Sequence, residues 1–127
     1  MTREFVMMPE FDRQWQKMGL GDEELRQLQE TLLRNPKAGS VMRGTGGLRK
    51  IRMAFEGRGK SGSGRVAYVD FTLHETIYLI TAYPKNAKDN LSESERNEIA
   101  KRLIALRKGI EAAHESASRL ETKLETR

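Results

Sequence analysis

The first third of the chain combines a short strand pattern with two helical patterns. Glu4 to Met8 is an apolar run that stops at Pro9 and predicts a first strand. From Pro9 to Met18 the large apolar residues fall at intervals of four and three, which predicts a short helix. Asp22, a good N-cap residue, begins a second helical pattern of leucines that ends at Asn35-Pro36. We expect these two helices to form a hairpin.

In the middle third the period changes from about 3.6 to 2. Between Leu48 and Glu56, apolar residues alternate with Lys50 and Arg52, which predicts a strand with one apolar face and one basic face. Arg65 to Leu73 and Thr76 to Tyr83 predict two further strands. The strand from Leu48 to Glu56 and the strand from Arg65 to Leu73 flank a glycine-rich turn, so we expect these two strands to form an antiparallel hairpin.

The last third predicts one long helix. Ser92 to Glu95 has the sequence of a capping box. An apolar stripe with steps of four and three follows, made of Ile99, Leu103, Leu106, Ile110, Ala113, Ala117, Leu120 and Leu124. We expect residues 1–108 to form one domain and residues 109–127 to be a helical extension or a frayed tail.

The order β-α-α-β-β-β-α predicts an α+β fold. We expect a small twisted antiparallel sheet with helices packed on one face, an N-terminal helical hairpin and a long C-terminal helix.

Positive charge is concentrated in one segment, Gly44 to Arg65. This segment carries a net charge of +5, which equals the formal net charge of the whole chain. Its basic residues are Arg49, Lys50, Arg52, Arg58, Lys60 and Arg65. Such clustering favours an anionic partner, and nucleic acid is the commonest one. The alternative is a basic strand face that is merely solvated.

Several classes of protein do not fit the sequence. The chain has no cysteine, which excludes disulfides and thiolate metal sites. Its apolar runs are far shorter than the ~20 residues that span a bilayer, and we expect a soluble cytoplasmic protein. Gly57 to Gly62 matches G-x-G-x-x-G, but a strand follows where the dinucleotide fingerprint needs a helix, so we expect no nucleotide cofactor. Metal-ligand spacings are also missing, and neither His74 nor His114 is a good catalytic candidate.

Cleavage of a phosphodiester by this chain would therefore depend on Lys, Arg and Tyr. A lysine among other cations can act as a base, and arginines can stabilise the charge of the transition state. RNA suits such a site because its 2′-OH is a built-in nucleophile. We expect Arg65 to point outward, Tyr68 to pack inward, and Tyr83, before Pro84-Lys85, to carry an exposed phenol.

The chain resembles the RelE/ParE toxin superfamily, and its HigB-like RelE branch in particular. The similarity covers roughly residues 1–108 and is most specific in two segments, GTGGLRKIRMAFEGRGKSGSGRVAYVDF and IYLITAYPKNAKDNLSESERNEI. It implies a type II toxin that cleaves mRNA on the ribosome without a metal or another cofactor. It also implies a protein antitoxin, acidic in part, with a helix-turn-helix fold and encoded beside the toxin.

The resemblance also implies roles for individual residues. Lys50 and Arg52 match a basic pair on one strand, Arg65 matches an arginine on the next strand, and Tyr83 lies near the position of a group at the end of the sheet. These four form the expected catalytic set, with Lys50 and Tyr83 as the candidates for the general base. The residues expected to bind RNA or the ribosome are Arg49, Arg58, Lys60 and Lys85.

Two other functions remain open at this point. The first is a non-enzymatic inhibitor of DNA gyrase, as on the ParE side of the superfamily, although Lys50, Arg52 and Arg65 favour the nuclease. The second is a plain nucleic-acid-binding module without catalysis.

Overall fold

The computed structural model describes residues 3–54, 64–84 and 92–125, and the side chains of the last helix as far as Ala113. The elements are, in chain order, β1 Glu4–Met7, α1 Pro9–Lys17, α2 Asp22–Arg34, β2 Ser40–Val41, β3 Arg49–Met53, β4 Gly64–Phe71, a 3-10 turn Thr72–His74, β5 Thr76–Pro84 and α3 Glu93–Glu125. The predicted α+β class is confirmed, with N-terminal helices, a sheet and a long C-terminal helix.

The five strands form one sheet in the order β1-β5-β4-β3-β2. The pairs β2–β3, β3–β4 and β4–β5 are antiparallel, so the predicted hairpin of β3 and β4 is confirmed. The expectation of a wholly antiparallel sheet is wrong, because β1 runs parallel to β5. A parallel pair needs a long crossover connection, and the chain between β1 and β5 includes the helices α1 and α2.

The helices α1 and α2 pack on one face of the sheet, which we call the inner face. The helices contribute Phe11, Trp15, Leu28 and Leu32 to this core, and Leu20 joins them from the loop between α1 and α2. The strands contribute Ile51, Val66, Tyr68, Ile77, Leu79 and Ala82. The apolar residues that the helical and strand periods predict therefore meet in one cluster, which leaves the alternate strand residues for the outer face.

Local sequence fixes the starts of two helices. The backbone N–H of Ser92 donates to Glu95 Oε1 and the N–H of Glu95 donates to Ser92 Oγ, so the predicted capping box before α3 is confirmed. For α2 the predicted cap is off by one residue. The N-cap is Gly21, whose N–H donates to Glu24 Oε1, and Asp22 is the first residue of the helix.

The described residues fall into two compact units. The first comprises residues 3–43 and 47–84, and the second comprises residues 44–46 and 92–125. Within the second unit Leu103 is buried, and Arg107 donates a hydrogen bond to the carbonyl oxygen of Gly46. Among the described helices, none has the length and apolar character to cross a bilayer. The domain limit expected at residue 108 stays a prediction.

Candidate active site

Three of the expected catalytic residues lie in one row across the sheet. Arg65 on β4 is directly opposite Arg52 on β3 and directly opposite Tyr83 on β5. Directly opposed residues in antiparallel strands point to the same face, with Cα atoms roughly 4.5–5.5 Å apart. We call Arg52, Arg65 and Tyr83 the outer row. Lys50, two residues before Arg52 on β3, points to the same outer face.

A register shift in β5 places Tyr83 in this row. Ala67 is opposite Thr81, but the next residue of β4, Tyr68, is opposite Leu79. Ile80 is therefore an extra residue on β5, which is the signature of a β-bulge.

The bulge changes which residues of β5 face the core. Leu79 and Ala82 both belong to the inner cluster although they are three residues apart. In an unbroken strand, Tyr83 would share a face with Leu79 and would point into the core. Because of the extra residue, Tyr83 points to the outer face, alongside Arg65.

Exposure divides the outer row and Lys50 into two pairs. Arg52 is exposed and Lys50 is half-buried. Arg65 and Tyr83 are only 3% and 5% exposed. The expectation of an exposed phenol on Tyr83 is therefore wrong, and Arg65 lies on the predicted face without being open to solvent. Strand alternation gives the face of a residue, but it does not say whether that face is covered.

Tyr68 packs inward, as expected, and its hydroxyl both accepts and donates a hydrogen bond. The hydroxyl accepts a hydrogen bond from the N–H of Gly39 at 2.9 Å and donates one to the carbonyl oxygen of Pro36 at 2.8 Å. Burial raises the pKa of Tyr68, and the hydrogen bond from Gly39 and the charge of Arg49 partly offset this rise.

Arg49 is separated from the outer row. It lies opposite Tyr68 in the sheet and so belongs to the inner side. Its guanidinium donates to the carbonyl oxygen of Gly39 at 2.8 Å and to that of Lys37 at 3.4 Å. The structure therefore does not bring Arg49 together with Lys50 and Arg52.

The other three residues expected to bind RNA or the ribosome, Arg58, Lys60 and Lys85, lie outside the described residues.

Sequence reasoning missed the contribution of Gly39 and of the bulge at Ile80. Gly39 follows a helix end and reads as an ordinary loop glycine, and Ile80 is a good strand former that gives no sign of a bulge. Only the pairing of the strands reveals either role.

The outer face has the chemistry of a phosphate site. The exposed guanidinium of Arg52 can bind the non-bridging oxygens of a phosphodiester, and the nearly buried Arg65 adds positive charge in the adjacent strand. An ammonium and a phenol lie on the same face. Among the described residues, no group of three His, Cys, Asp or Glu side chains is arranged to hold a metal ion.

Comparison with solved structures shows the same fold in a bacterial toxin. A double mutant of the E. coli toxin RelE in the free state is 19% identical, covers 80% of this chain and 98% of its own, and superposes with a TM-score of 0.55. The isolated E. coli RelE toxin is 21% identical, with 80% and 99% covered and a TM-score of 0.48. The intact E. coli RelBE toxin-antitoxin complex is 19% identical, with 65% and 96% covered and a TM-score of 0.48.

The sequence model of one toxin family covers nearly the whole chain. The model describes the RelE toxin of the RelE/RelB toxin-antitoxin system and matches residues 6–121. Since this match includes every strand of the outer row and both N-terminal helices, the chain belongs to the RelE family of toxins.

Proposed function

We propose that this chain is an endoribonuclease that cleaves mRNA on the ribosome and so stops translation. The alignment of Arg52, Arg65 and Tyr83 across three strands, with Lys50 on the same face, is the observation that carries the proposal. The alignment puts three basic residues and a tyrosine at neighbouring positions of the outer face. A gyrase inhibitor does not need this set, and a passive binder needs the cations but no general base, whereas a nuclease needs both.

The proposed reaction uses the RNA as its own nucleophile. The 2′-OH gives its proton to the general base and attacks the adjacent phosphorus, and the bond to the 5′ oxygen breaks. That oxygen takes a proton from water, so the products are a 2′,3′-cyclic phosphate and a 5′-OH end. Arg52 binds the phosphate oxygens and stabilises the negative charge that builds up on them, and the nearly buried Arg65 contributes through its positive charge. No metal ion enters this scheme.

Lys50 is the better candidate for the general base. It retains exposed surface on the outer face, whereas Tyr83 is nearly buried beside Arg65. A lysine acts as a general base through its amine, which accepts the proton of the 2′-OH. In this assignment Tyr83 supports the phosphate-binding arginines.

The test is cleavage of a defined mRNA on programmed ribosomes, mapped by primer extension. We expect wild type to leave a 2′,3′-cyclic phosphate and a 5′-OH, and a single 2′-deoxy nucleotide at the cleavage position to abolish the cut. Arg52→Ala should lower the rate by about 10²–10³-fold, as expected for loss of one oxyanion donor. Arg26→Ala is the matched control, because Arg26 is an exposed arginine on α2 paired with Glu23 and Glu30. Intact mRNA together with inhibited DNA supercoiling would instead support the gyrase inhibitor.

The family description supplies the class of partner. We infer a cognate protein antitoxin, encoded next to this chain, with a helix-turn-helix fold and an acidic segment complementary to the basic strand. The segment GTGGLRKIR supports assignment to the HigB-like branch. A toxin that acts on ribosomes has its target in the cytoplasm, so we also infer a cytoplasmic protein. Arg58, Lys60 and Lys85 stay predicted contacts with RNA or the ribosome. Co-expression with the neighbouring open reading frame should relieve the growth arrest that this chain causes alone, and no relief would contradict the inferred partner.

A further inference from the structure

Four residues on the inner side of the sheet join the loop after α2 to the strands β3 and β4. Tyr68 bridges the backbone of Pro36 and Gly39 through its hydroxyl, and Arg49 donates to the carbonyl oxygen of Gly39. We call Pro36, Gly39, Arg49 and Tyr68 the inner latch. Both backbone polar groups of Gly39 are therefore satisfied, its N–H by Tyr68 of β4 and its carbonyl oxygen by Arg49 of β3.

The inner latch is packed directly against the backbone of Lys50. A Cβ atom on Gly39 would lie 2.8 Å from the carbonyl oxygen of Lys50 and 2.9 Å from Cε1 of Tyr68. Such distances are shorter than van der Waals contact, so only glycine fits here without a shift of Lys50. The position of the Lys50 backbone is thereby tied to the position of Gly39.

Lys50 is paired with Ala67 of β4 on one side, but β2 on its other side is too short to hold that side of β3 by itself. The strand β2 contains two residues, and its pairing with β3 consists of Ser40 opposite Lys50 and Val41 opposite Arg49. So short an edge strand forms few ladder hydrogen bonds. The contacts made by Tyr68 and Arg49 hold Gly39, the residue before β2, in place. Through Gly39 they hold β2 against β3 as the edge strand of the sheet.

We propose that Tyr68 and Arg49 are positioning residues that set the place of Lys50 in the proposed ribonuclease site. Neither touches the RNA, and both act through the backbone of Gly39 on the strand that carries the general base. The inference rests on the proposed function, since it assigns the inner latch to the same reaction. It gives the buried hydroxyl of Tyr68 a role in rate as well as in stability.

The experiment is a double-mutant cycle between Tyr68 and Lys50, measured as the single-turnover rate of mRNA cleavage on programmed ribosomes. Tyr68→Phe keeps the ring and removes only the hydroxyl. We expect it to lower the maximal single-turnover rate roughly tenfold and to leave the half-saturating concentration of ribosomes unchanged, because a small displacement of a catalytic group costs rate and leaves binding intact. In a Lys50→Ala background the same change should lower the slow residual rate less than about twofold, since the group it positions is gone.

Tyr78→Phe is the matched control, because it removes a hydroxyl from a half-buried tyrosine on β5 far from Gly39 in the sheet register. We expect it to retain the wild-type rate. Amide hydrogen exchange gives a second readout that does not depend on activity. The amides of Gly39 and Ser40 should exchange faster by about tenfold or more in Tyr68→Phe than in Tyr78→Phe.

The outcomes separate the inference from the proposed function. Wild type that leaves mRNA intact overturns both. Active wild type with an unchanged rate in Tyr68→Phe, or with equal losses in the two backgrounds, overturns only the positioning role. If Lys50→Ala is too slow to measure, unchanged hydrogen exchange at Gly39 and Ser40 overturns the positioning role. Arg49→Lys keeps the charge and loses the planar donor, so it should repeat the loss in single-turnover rate.

Discussion

Arg52 and Arg65 lie directly opposite each other on the antiparallel strands β3 and β4. Two like charges in this position repel each other, and Arg65 is also nearly buried. A fold selected only for stability would place an acid or a neutral residue at one of the two positions. The opposed arginines agree with the proposed role of the outer row, in which some stability is exchanged for the binding of a phosphate.

The first prediction is that Arg52→Gln stabilises the chain while it lowers cleavage. Loss of a like-charged cross-strand pair should raise the free energy of unfolding by about 0.2–1 kcal/mol. Urea denaturation at low and high salt measures this change. Because salt screens the repulsion, the gain should shrink as salt rises.

Arg26→Gln is the control for this measurement, since Arg26 is paired with Glu23 and Glu30 on the exposed side of α2. It should give no gain in stability. Equal stability of Arg52→Gln and wild type at low salt would show that the two arginines do not strain the sheet.

The second prediction contrasts two glycines. Gly39→Ala should destabilise the chain by about 1–3 kcal/mol, because the new methyl group overlaps the carbonyl group of Lys50 and the ring of Tyr68. Gly109 lies within α3 and has no atom within 4 Å of an added Cβ. Gly109→Ala should therefore stabilise by roughly 0.5–1 kcal/mol through helix propensity.

Thermal and urea unfolding of the two variants side by side checks the contrast. A loss at Gly109 and a gain at Gly39 would contradict the packing described for the inner latch.

The third prediction concerns the pH dependence of stability. Burial raises the pKa of Tyr68 above its ordinary value, so the phenol of the unfolded chain ionises at a lower pH than that of the folded chain. Its contribution to stability is complete below about pH 10 and is lost as the pH rises through the folded pKa. At about pH 8, Tyr68→Phe should cost about 1–3 kcal/mol, since it leaves Gly39 N–H and the carbonyl of Pro36 without their partner.

The difference between wild type and Tyr68→Phe should shrink as the pH is raised to about 11. Urea denaturation across that range measures it, and lysine titration is common to both proteins and cancels in the comparison. A difference that stays constant with pH would mean that the phenol does not ionise later in the folded chain.

Periodicity in the sequence was enough to predict the helices, the three long strands and the face of Lys50 and Arg52. These features depend on residues close together in the chain, whose spacing determines the exposed and buried sides. The capping box at Ser92 and the inward position of Tyr68 could be predicted for the same reason.

Features that depend on distant parts of the chain could not be predicted in this way. The parallel pairing of β1 with β5 and the bulge at Ile80 arise from strand pairing, which leaves no local pattern. The burial of Tyr83 depends on what covers the outer face. Arg49 looked like its basic neighbours, but its long side chain reaches back to the loop carbonyls and binds backbone instead.

The fourth prediction tests whether Lys50 and Arg52 contact phosphate groups. Each cation that neutralises a phosphate of single-stranded RNA releases counterions, and its loss reduces the steepness of the plot of log affinity against log salt by about 0.7. We expect the double variant Lys50→Ala/Arg52→Ala to bind more weakly to ribosomes that carry an mRNA blocked by 2′-O-methyl groups at the cleavage site. We also expect it to lose about 1.4 of the slope between about 50 and about 200 mM salt, which corresponds to two lost contacts.

The control is Arg13→Ala/Arg26→Ala, which removes the same charge from α1 and α2, where both arginines are paired with glutamates. If the control lowers the slope as much as the double variant does, the effect comes from net charge alone. In that case the outer face has no special contact with the RNA backbone.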